Sequence, residues 1–272
     1  MAALSEQQQQ FFEDFGFLRL PGALKDDIGW IIEEFEAVFR DKGIVPDPAR
    51  RVCIVPFPDQ REKLCSLLDH PIINGVAESL LGEDWNYVGG DGNYYTGDTT
   101  WHTDGWHPQA RYLKIAFYLD PVKRDSGALR VVPGSQRVNP DGSGEFRRVP
   151  KSNEAYGIAG PDVPAFALET TPGDLAVFNH NILHSAWGGN SCRRMFTLNL
   201  CAHATTSAQI QDLEDFVASG ARFWIDQPIG EKMLRTASPQ RMKHLQQVID
   251  HSHHLPALAA HARQTMSEPA RG

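Results

Sequence analysis

GDLAVFNHNILHSAWGGNSCRRMFTLNL, residues 173–200, holds two apolar runs, 174–179 and 195–201, joined through a segment rich in Gly, Asn and Ser. Runs of that length bounded by turn residues read as strands. The same texture extends outward: 85–88, 92–95, 112–119, 128–132 and 166–169 are further short β-like runs, separated by Gly, Pro, Asp and Asn. Many short strands with frequent turn signals, and no βαβ alternation, predict a β-sandwich or barrel over about 85–202.

The flanks differ. Ser5 is placed to cap a helix, with Gln8 in the capping-box position. Residues 17–20 alternate and stop at Pro21-Gly22, which predicts a strand. From about 26 to 39, Ile28, Ile31, Ile32, Phe35, Val38 and Phe39 recur at helical spacing, and a second helix is expected over about 71–81, ending at Gly82. From about 207 the chain reads as helical again, with Ile210, Leu213, Phe216 and Val217 on one face. The expectation is a mainly β protein with flanking helices, a single domain over 1–272. Its helical N-terminal part covers about 1–84, its core about 85–202 and its helical C-terminal part about 203–272. The glutamine run at 7–10 falls inside the first helix, and there is no internal repeat.

Composition bounds the function. The 272 residues are 41% hydrophobic and 22% charged, an ordinary globular balance. A net charge of −8 offers no basic footprint for nucleic acid or for an anionic membrane. No apolar run approaches the roughly 20 residues that cross a bilayer. The N-terminal stretch lacks a basic segment followed by an apolar one, so no secretory signal is expected. Cys53, Cys65, Cys192 and Cys201 form no CxxC pair and read as reduced, mostly buried thiols. A cytoplasmic protein, monomeric or homodimeric, acting on a small molecule is the expectation.

WHTDGWH, residues 101–107, supplies the chemistry. In an extended strand His102 and Asp104 point to one face. Taken alone, an HxD pair is common by chance. The segment 173–200 raises its weight, because it offers His180 and His184 as a third donor and then Arg193 on a new strand. Two His and one carboxylate on one face of an octahedral ion make the facial triad of non-haem iron oxygenases. Arginine's planar fork suits a carboxylate.

Four stretches give the sequence a resemblance to the phytanoyl-CoA dioxygenase family of Fe(II)- and 2-oxoglutarate-dependent oxygenases: EQQQQFFEDFGFLRLPGAL, WHTDGW, SGALRVVPGSQ and GDLAVFNHNILHSAWGGNSCRRMFTL. They span roughly residues 5–200. The resemblance implies a double-stranded β-helix, or jelly roll, with Fe(II), 2-oxoglutarate and O2 as cofactor and cosubstrates and ascorbate as a supporting reductant. It implies His102, Asp104 and His184 as iron ligands and Arg193, or the adjacent Arg194, as the partner of the distal carboxylate of 2-oxoglutarate. Strand alternation lets only one of the two arginines point inward. Asn93, Tyr95 and Thr99 stand where the family places further 2-oxoglutarate contacts.

Trp106, His107, Trp187 and Arg111 are expected at the substrate pocket, with Trp101, Tyr94 and Tyr95 as further aromatic wall. His107 is alternatively a third metal donor or a surface group. His180 is expected to be structural or to sit beside the ligands. Arg111, Lys114 and Arg130 are candidates for an anionic substrate, but a solvated strand face is the preferred reading of them. The cluster His251-Ser252-His253-His254 is expected to be solvated. Related halogenases lack the carboxylate that Asp104 supplies, so the resemblance favours hydroxylation of an aliphatic C–H in a small or medium-sized carboxylate or secondary metabolite, releasing succinate and CO2. Two other classes stand beside it: a cupin-like metalloenzyme without 2-oxoglutarate, and a non-catalytic jelly-roll binding protein.

Overall fold

The computed structural model describes residues 3–137, 146–189 and 192–270; Asn190 and Ser191 of the motif 173–200 lie outside them. The strands are β1 (Phe17–Leu20), β2 (Val52–Ile54), β3 (Asn86–Tyr87), β4 (Gly92–Tyr95), β5 (Thr99–His102), β6 (Tyr112–Tyr118), β7 (Leu129–Val131), β8 (Phe166–Leu168), β9 (Leu175–Asn179), β10 (His184–Ala186) and β11 (Arg193–Cys201). Among the described residues they form a seven-stranded sheet in the order β1-β9-β6-β11-β4-β2, with β3 also on β11. A four-stranded sheet runs β5-β10-β7-β8. Neighbours pair antiparallel, as in a jelly roll.

Side-chain alternation divides the large sheet into two faces. Leu113, Ile115 and Phe117 of β6, Val177 of β9, and Phe196, Leu198 and Leu200 of β11 face outward into one core. The helices Ile28–Asp41 and Pro71–Leu81 close that core with Ile31, Phe35, Phe39, Ile73 and Val76. On the inner face Lys114, Ala116, Tyr118, Phe178, Arg193, Met195, Thr197 and Asn199 line a cavity between the sheets. Deeper between the sheets, Ala116, Ala176 and Phe178 pack on Leu129, Val131 and Leu168.

The N-terminal helix Glu6–Phe15 has the predicted capping box: Gln8 N donates to Ser5 Oγ at 3.2 Å, and Ser5 N to Gln8 Oε1 at 2.9 Å. The helix Pro71–Leu81 ends at Gly82 as expected, and the tail helix Ser207–Ser219 buries Leu213 and Val217. Helices hold about 40% of the chain against 19% in strands, so the β elements form the site-bearing centre of a largely helical coat. Two strands were not anticipated, β2 and β10; both are three residues long, too short for a period to show. The expected run 195–201 begins two residues earlier, which places Arg193 on β11.

Cys65 and Cys201 are buried, Cys53 and Cys192 partly so, and none of the four is in a disulfide. The tail histidines are not simply solvated: the His251 ring bonds the Glu214 carboxylate at 2.9 Å and the His254 ring its carbonyl at 3.0 Å, tying the tail to the helix Ser207–Ser219.

Phe57 is the keystone of the outer core. It is fully buried, lies 5.1 Å from Phe35 and 5.5 Å from Phe196 between ring centroids, and presses so closely on Gly92 that a Cβ there would meet its ring at 2.0 Å. Phe57→Ala is expected to lower the unfolding free energy by about 3–5 kcal/mol. Urea denaturation measures it, and a loss near zero would show that Phe57 does not anchor the helices to the sheet.

Candidate active site

Backbone register builds the centre of the site. β10 pairs with β5 so that His184 stands directly opposite His102. The ring centroids are 4.2 Å apart. β5 ends at His102, so Asp104 sits just beyond the strand rather than within it, and its N–H donates to the His180 carbonyl at 3.0 Å. That bond brings the carboxylate back to the same face. Asp104 Oδ1 is 3.9 Å from His102 Nε2, and Oδ2 is 3.6 Å from His184 Nε2. One ligand atom from each of the three residues lies within 4.8 Å of the others.

Hydrogen bonds set the tautomers. His102 Nδ1 is 2.8 Å from the Thr100 carbonyl and His184 Nδ1 is 3.0 Å from the Ile182 carbonyl. A carbonyl only accepts, so each Nδ1 carries the proton and each Nε2 turns a lone pair toward Asp104. Burial pushes the His184 pKa down to about 4, which keeps that ring neutral near pH 7. Burial alone would raise the Asp104 pKa; Lys114, then His184 and His180, hold it far below the usual carboxylate range. Two imidazoles, that of His184 neutral, and one ionised carboxylate fit a divalent first-row cation.

Arg193 and Arg194 part as alternation requires. Arg194 turns outward to Asp120, at 2.5 Å, and to Glu36, at 2.9 Å. Arg193 turns inward and is 5% exposed. Among the described residues its guanidinium donates from Nη2 to the Gly97 carbonyl at 3.3 Å, while Nε and Nη1 find no partner there. Burial lowers its pKa, opposed by Tyr118, Tyr95 and Asp98. Space for the guanidinium exists only because glycines flank it: a Cβ at Gly127 would lie 1.6 Å from Nη1 and one at Gly189 1.2 Å. The Tyr95 ring lies 5.2 Å from the guanidinium carbon, and the Tyr95 hydroxyl is 2.5 Å from Thr99 Oγ1. Tyr95 and Thr99 line the cavity, whose volume is about 660 Å³.

Several expectations are corrected. Asn93 is buried and bonded to Arg51 and Asp91 rather than lining the cavity. Trp187 packs with Trp101 on the outer face of the small sheet, its indole N–H donating to Ser185 Oγ at 2.9 Å. Tyr94 faces Phe35 and Phe39 on the helix side. Arg111 is away from the cavity, held by Glu13 and the Leu80 carbonyl. Arg130 is not solvated but buried, donating to the carbonyls of Arg124 and Pro161.

Lys114 is also inside, its ammonium 2.8 Å from Asp104 Oδ2. Despite burial, Asp104 and Asp91 raise its pKa. Asp91 in turn pairs with Arg51 at 3.2 Å. Trp106 and His107 do line the cavity: Trp106 is 47% exposed at its rim, whereas His107 is buried and stacked 3.8 Å from Tyr112. His180 is buried beside them and is not part of the tight three-residue set.

The family model for phytanoyl-CoA dioxygenase (PhyH) matches residues 12–195. The chain belongs to that family. L-proline trans-4-hydroxylase from Streptomyces griseoviridis is 26% identical over 226 residues, covering 71% of this chain and 84% of the relative. Among solved structures, HygX from Streptomyces hygroscopicus with nickel and 2-oxoglutarate bound gives a TM-score of 0.60 at 15% identity, covering 75% of this chain and 89% of that one. EctD from S. alaskensis with 2-oxoglutarate and 5-hydroxyectoine gives 0.58 at 21%, covering 73% and 76%. The carbocyclase SnoK from nogalamycin biosynthesis gives 0.59 at 20%, covering 73% and 84%. These likenesses establish the shared jelly-roll fold.

Burying a charge with so few partners costs stability. The metal-free Arg193→Met protein is therefore expected to be at least as stable to urea as the wild type. A loss above about 1 kcal/mol, the usual worth of one hydrogen bond, would show that the guanidinium holds the fold together.

Proposed function

We propose that this protein is an Fe(II)- and 2-oxoglutarate-dependent dioxygenase that hydroxylates an aliphatic C–H of a small or medium-sized carboxylate or secondary metabolite. One observation carries the reading: a neutral His, a second His and an ionised carboxylate converge in the same cavity as a buried guanidinium that lacks an anion. His102, Asp104 and His184 are assigned as the iron ligands through Nε2, carboxylate and Nε2. Arg193 is assigned as the partner of the distal carboxylate of 2-oxoglutarate, a match of fork to carboxylate that gives both charge and orientation.

When bound, iron and 2-oxoglutarate supply the oxidising chemistry, with succinate and CO2 as products. The chain's own residues position and shield. The Thr100 and Ile182 carbonyls hold the two imidazoles in their ligating tautomers. The Tyr95–Thr99 bond fixes the wall that Arg193 lies against, and Trp106 stands at the rim, where it limits water. Asp104 fills the coordination position that a halide would need, so hydroxylation is the assigned outcome. A jelly-roll metalloenzyme that does not use 2-oxoglutarate leaves Arg193 without a reason to be buried.

No helix among the described residues is long and apolar enough to cross a membrane. We propose a cytoplasmic enzyme acting on free small molecules, as a monomer or homodimer.

The test is 2-oxoglutarate turnover under air with Fe(II), offering L-proline first because of the named relative, then other small amino acids, carboxylates and amines. A true substrate is expected to accelerate succinate formation and to gain one oxygen atom by mass. Asp104→Ala is expected to fall to the rate seen without iron. Substrate oxidation that consumes no 2-oxoglutarate, or that persists in Asp104→Ala, contradicts the assignment.

A further inference from the structure

The cavity is lined by polar side chains beyond the triad and Arg193, among them His107, His180 and Asp212. Neither nitrogen of the buried His180 ring has a hydrogen-bond partner among the described residues. Next to it, 5.7 Å between ring centroids, stands His107. Its Nδ1 is 3.1 Å from Asp212 Oδ1, while His107 Nε2 and Asp212 Oδ2 are both buried and unpartnered. The Phe216 ring lies 5.7 Å from His107 and 5.9 Å from His180. All four side chains line the cavity. Gly105 keeps the space before His107 Nε2 clear, since a Cβ at that position would lie 2.2 Å from the nitrogen.

Buried polar atoms without partners are costly, so a cluster of them facing one cavity points to a ligand. A metal ion does not account for it: among the described residues, only His102, Asp104 and His184 gather tightly enough to hold one. The donor–acceptor balance is more informative. Asp212 accepts a hydrogen bond from His107 Nδ1–H, and in that tautomer of the imidazole Nε2 is a lone-pair acceptor. Asp212 Oδ2 is a second acceptor, and a neutral His180 offers one acceptor and one donor. Three acceptors against one donor, with a carboxylate charge and the π face of Phe216, complement a group that is positively charged and rich in N–H. A carboxylate placed there would meet the charge of Asp212 and find too few donors.

We propose that His107, Asp212, His180 and Phe216 form the specificity subsite of this enzyme and hold a protonated amine of the substrate. The proposal rests on the dioxygenase reading above and adds the chemical class of the substrate's far end. Asp212 and Phe216 come from the helix Ser207–Ser219, outside the residues 12–195 that the family model matches. Two of the four subsite residues thus come from the part of the chain that the family pattern does not cover, and His107 and His180 from the part that it does.

The test uses full-length protein loaded with Ni(II) and 2-oxoglutarate, so that binding is read without turnover. Isothermal titration calorimetry compares three probes with one ring and different head groups: cyclopentylamine, cyclopentanol and cyclopentanecarboxylate. The amine is expected to bind at least about tenfold tighter than the alcohol, with the carboxylate weakest. In Asp212→Asn the amine is expected to drop to the level of the alcohol, with 2-oxoglutarate binding reporting that the variant is folded. No amine binding, a preference for the carboxylate, or an amine preference intact in Asp212→Asn overturns the subsite. Failure of 2-oxoglutarate itself to bind the wild type overturns the dioxygenase reading instead.

Discussion

The antiparallel register of β5 and β10, with His184 across from His102, is the constraint on which the site depends. Ladder hydrogen bonds fix it, and a one-residue slip would turn one imidazole to the opposite face of the sheet. Asp104 needs a second device because it lies past the end of β5. Its N–H bond to the His180 carbonyl folds the chain back and delivers the carboxylate between the two rings. The outer core serves the same end: helices packed on Phe57, Phe196 and their neighbours hold the large sheet, and the large sheet carries Arg193 to the cavity.

Charge balance on the inner face gives the site its direction. Lys114 has Asp104 and Arg51 has Asp91, so these cations are matched by carboxylates of the chain. Among the described residues Arg193 has no carboxylate within ion-pair distance, but one carbonyl and the Tyr95 ring. A buried guanidinium of that kind is stabilised by an anion from outside, which fits a dicarboxylate cosubstrate reaching from the metal to the arginine. Lys114 does for Asp104 what iron is assigned to do: it keeps the carboxylate ionised in a dry setting.

The centre of the site was legible in the sequence because its signals are local. HxD, the later His184 and the arginine on the following strand are short patterns, and alternation alone separates Arg193 from Arg194 once β11 is placed. Lys114 and Arg130 were read as solvated for an equally physical reason. Lys114 stands on β6, which is apolar toward the helices and polar toward the cavity, and that alternation looks the same as a strand with one face in water; Arg130 stands on β7, where its charge alone suggested solvent. Trp187 and Arg111 were assigned by proximity in sequence to the motifs, whereas Trp187, just past β10, packs beside Trp101 and Arg111, just before β6, is held by Glu13 and the Leu80 carbonyl. Asp212 and Phe216 lie more than a hundred residues from His107 and on a helix whose amphipathic pattern reads as ordinary packing. Only the tertiary fold brings them together.

The central claim is that the triad and Arg193 together hold iron and 2-oxoglutarate, and an anaerobic titration of the protein with Fe(II) and 2-oxoglutarate tests it most directly. The account predicts a visible metal-to-ligand charge-transfer band at stoichiometric iron, weakened sharply in Arg193→Met, little changed in Arg194→Met and absent in Asp104→Ala. No band with iron bound, or a band indifferent to Arg193, would contradict the account.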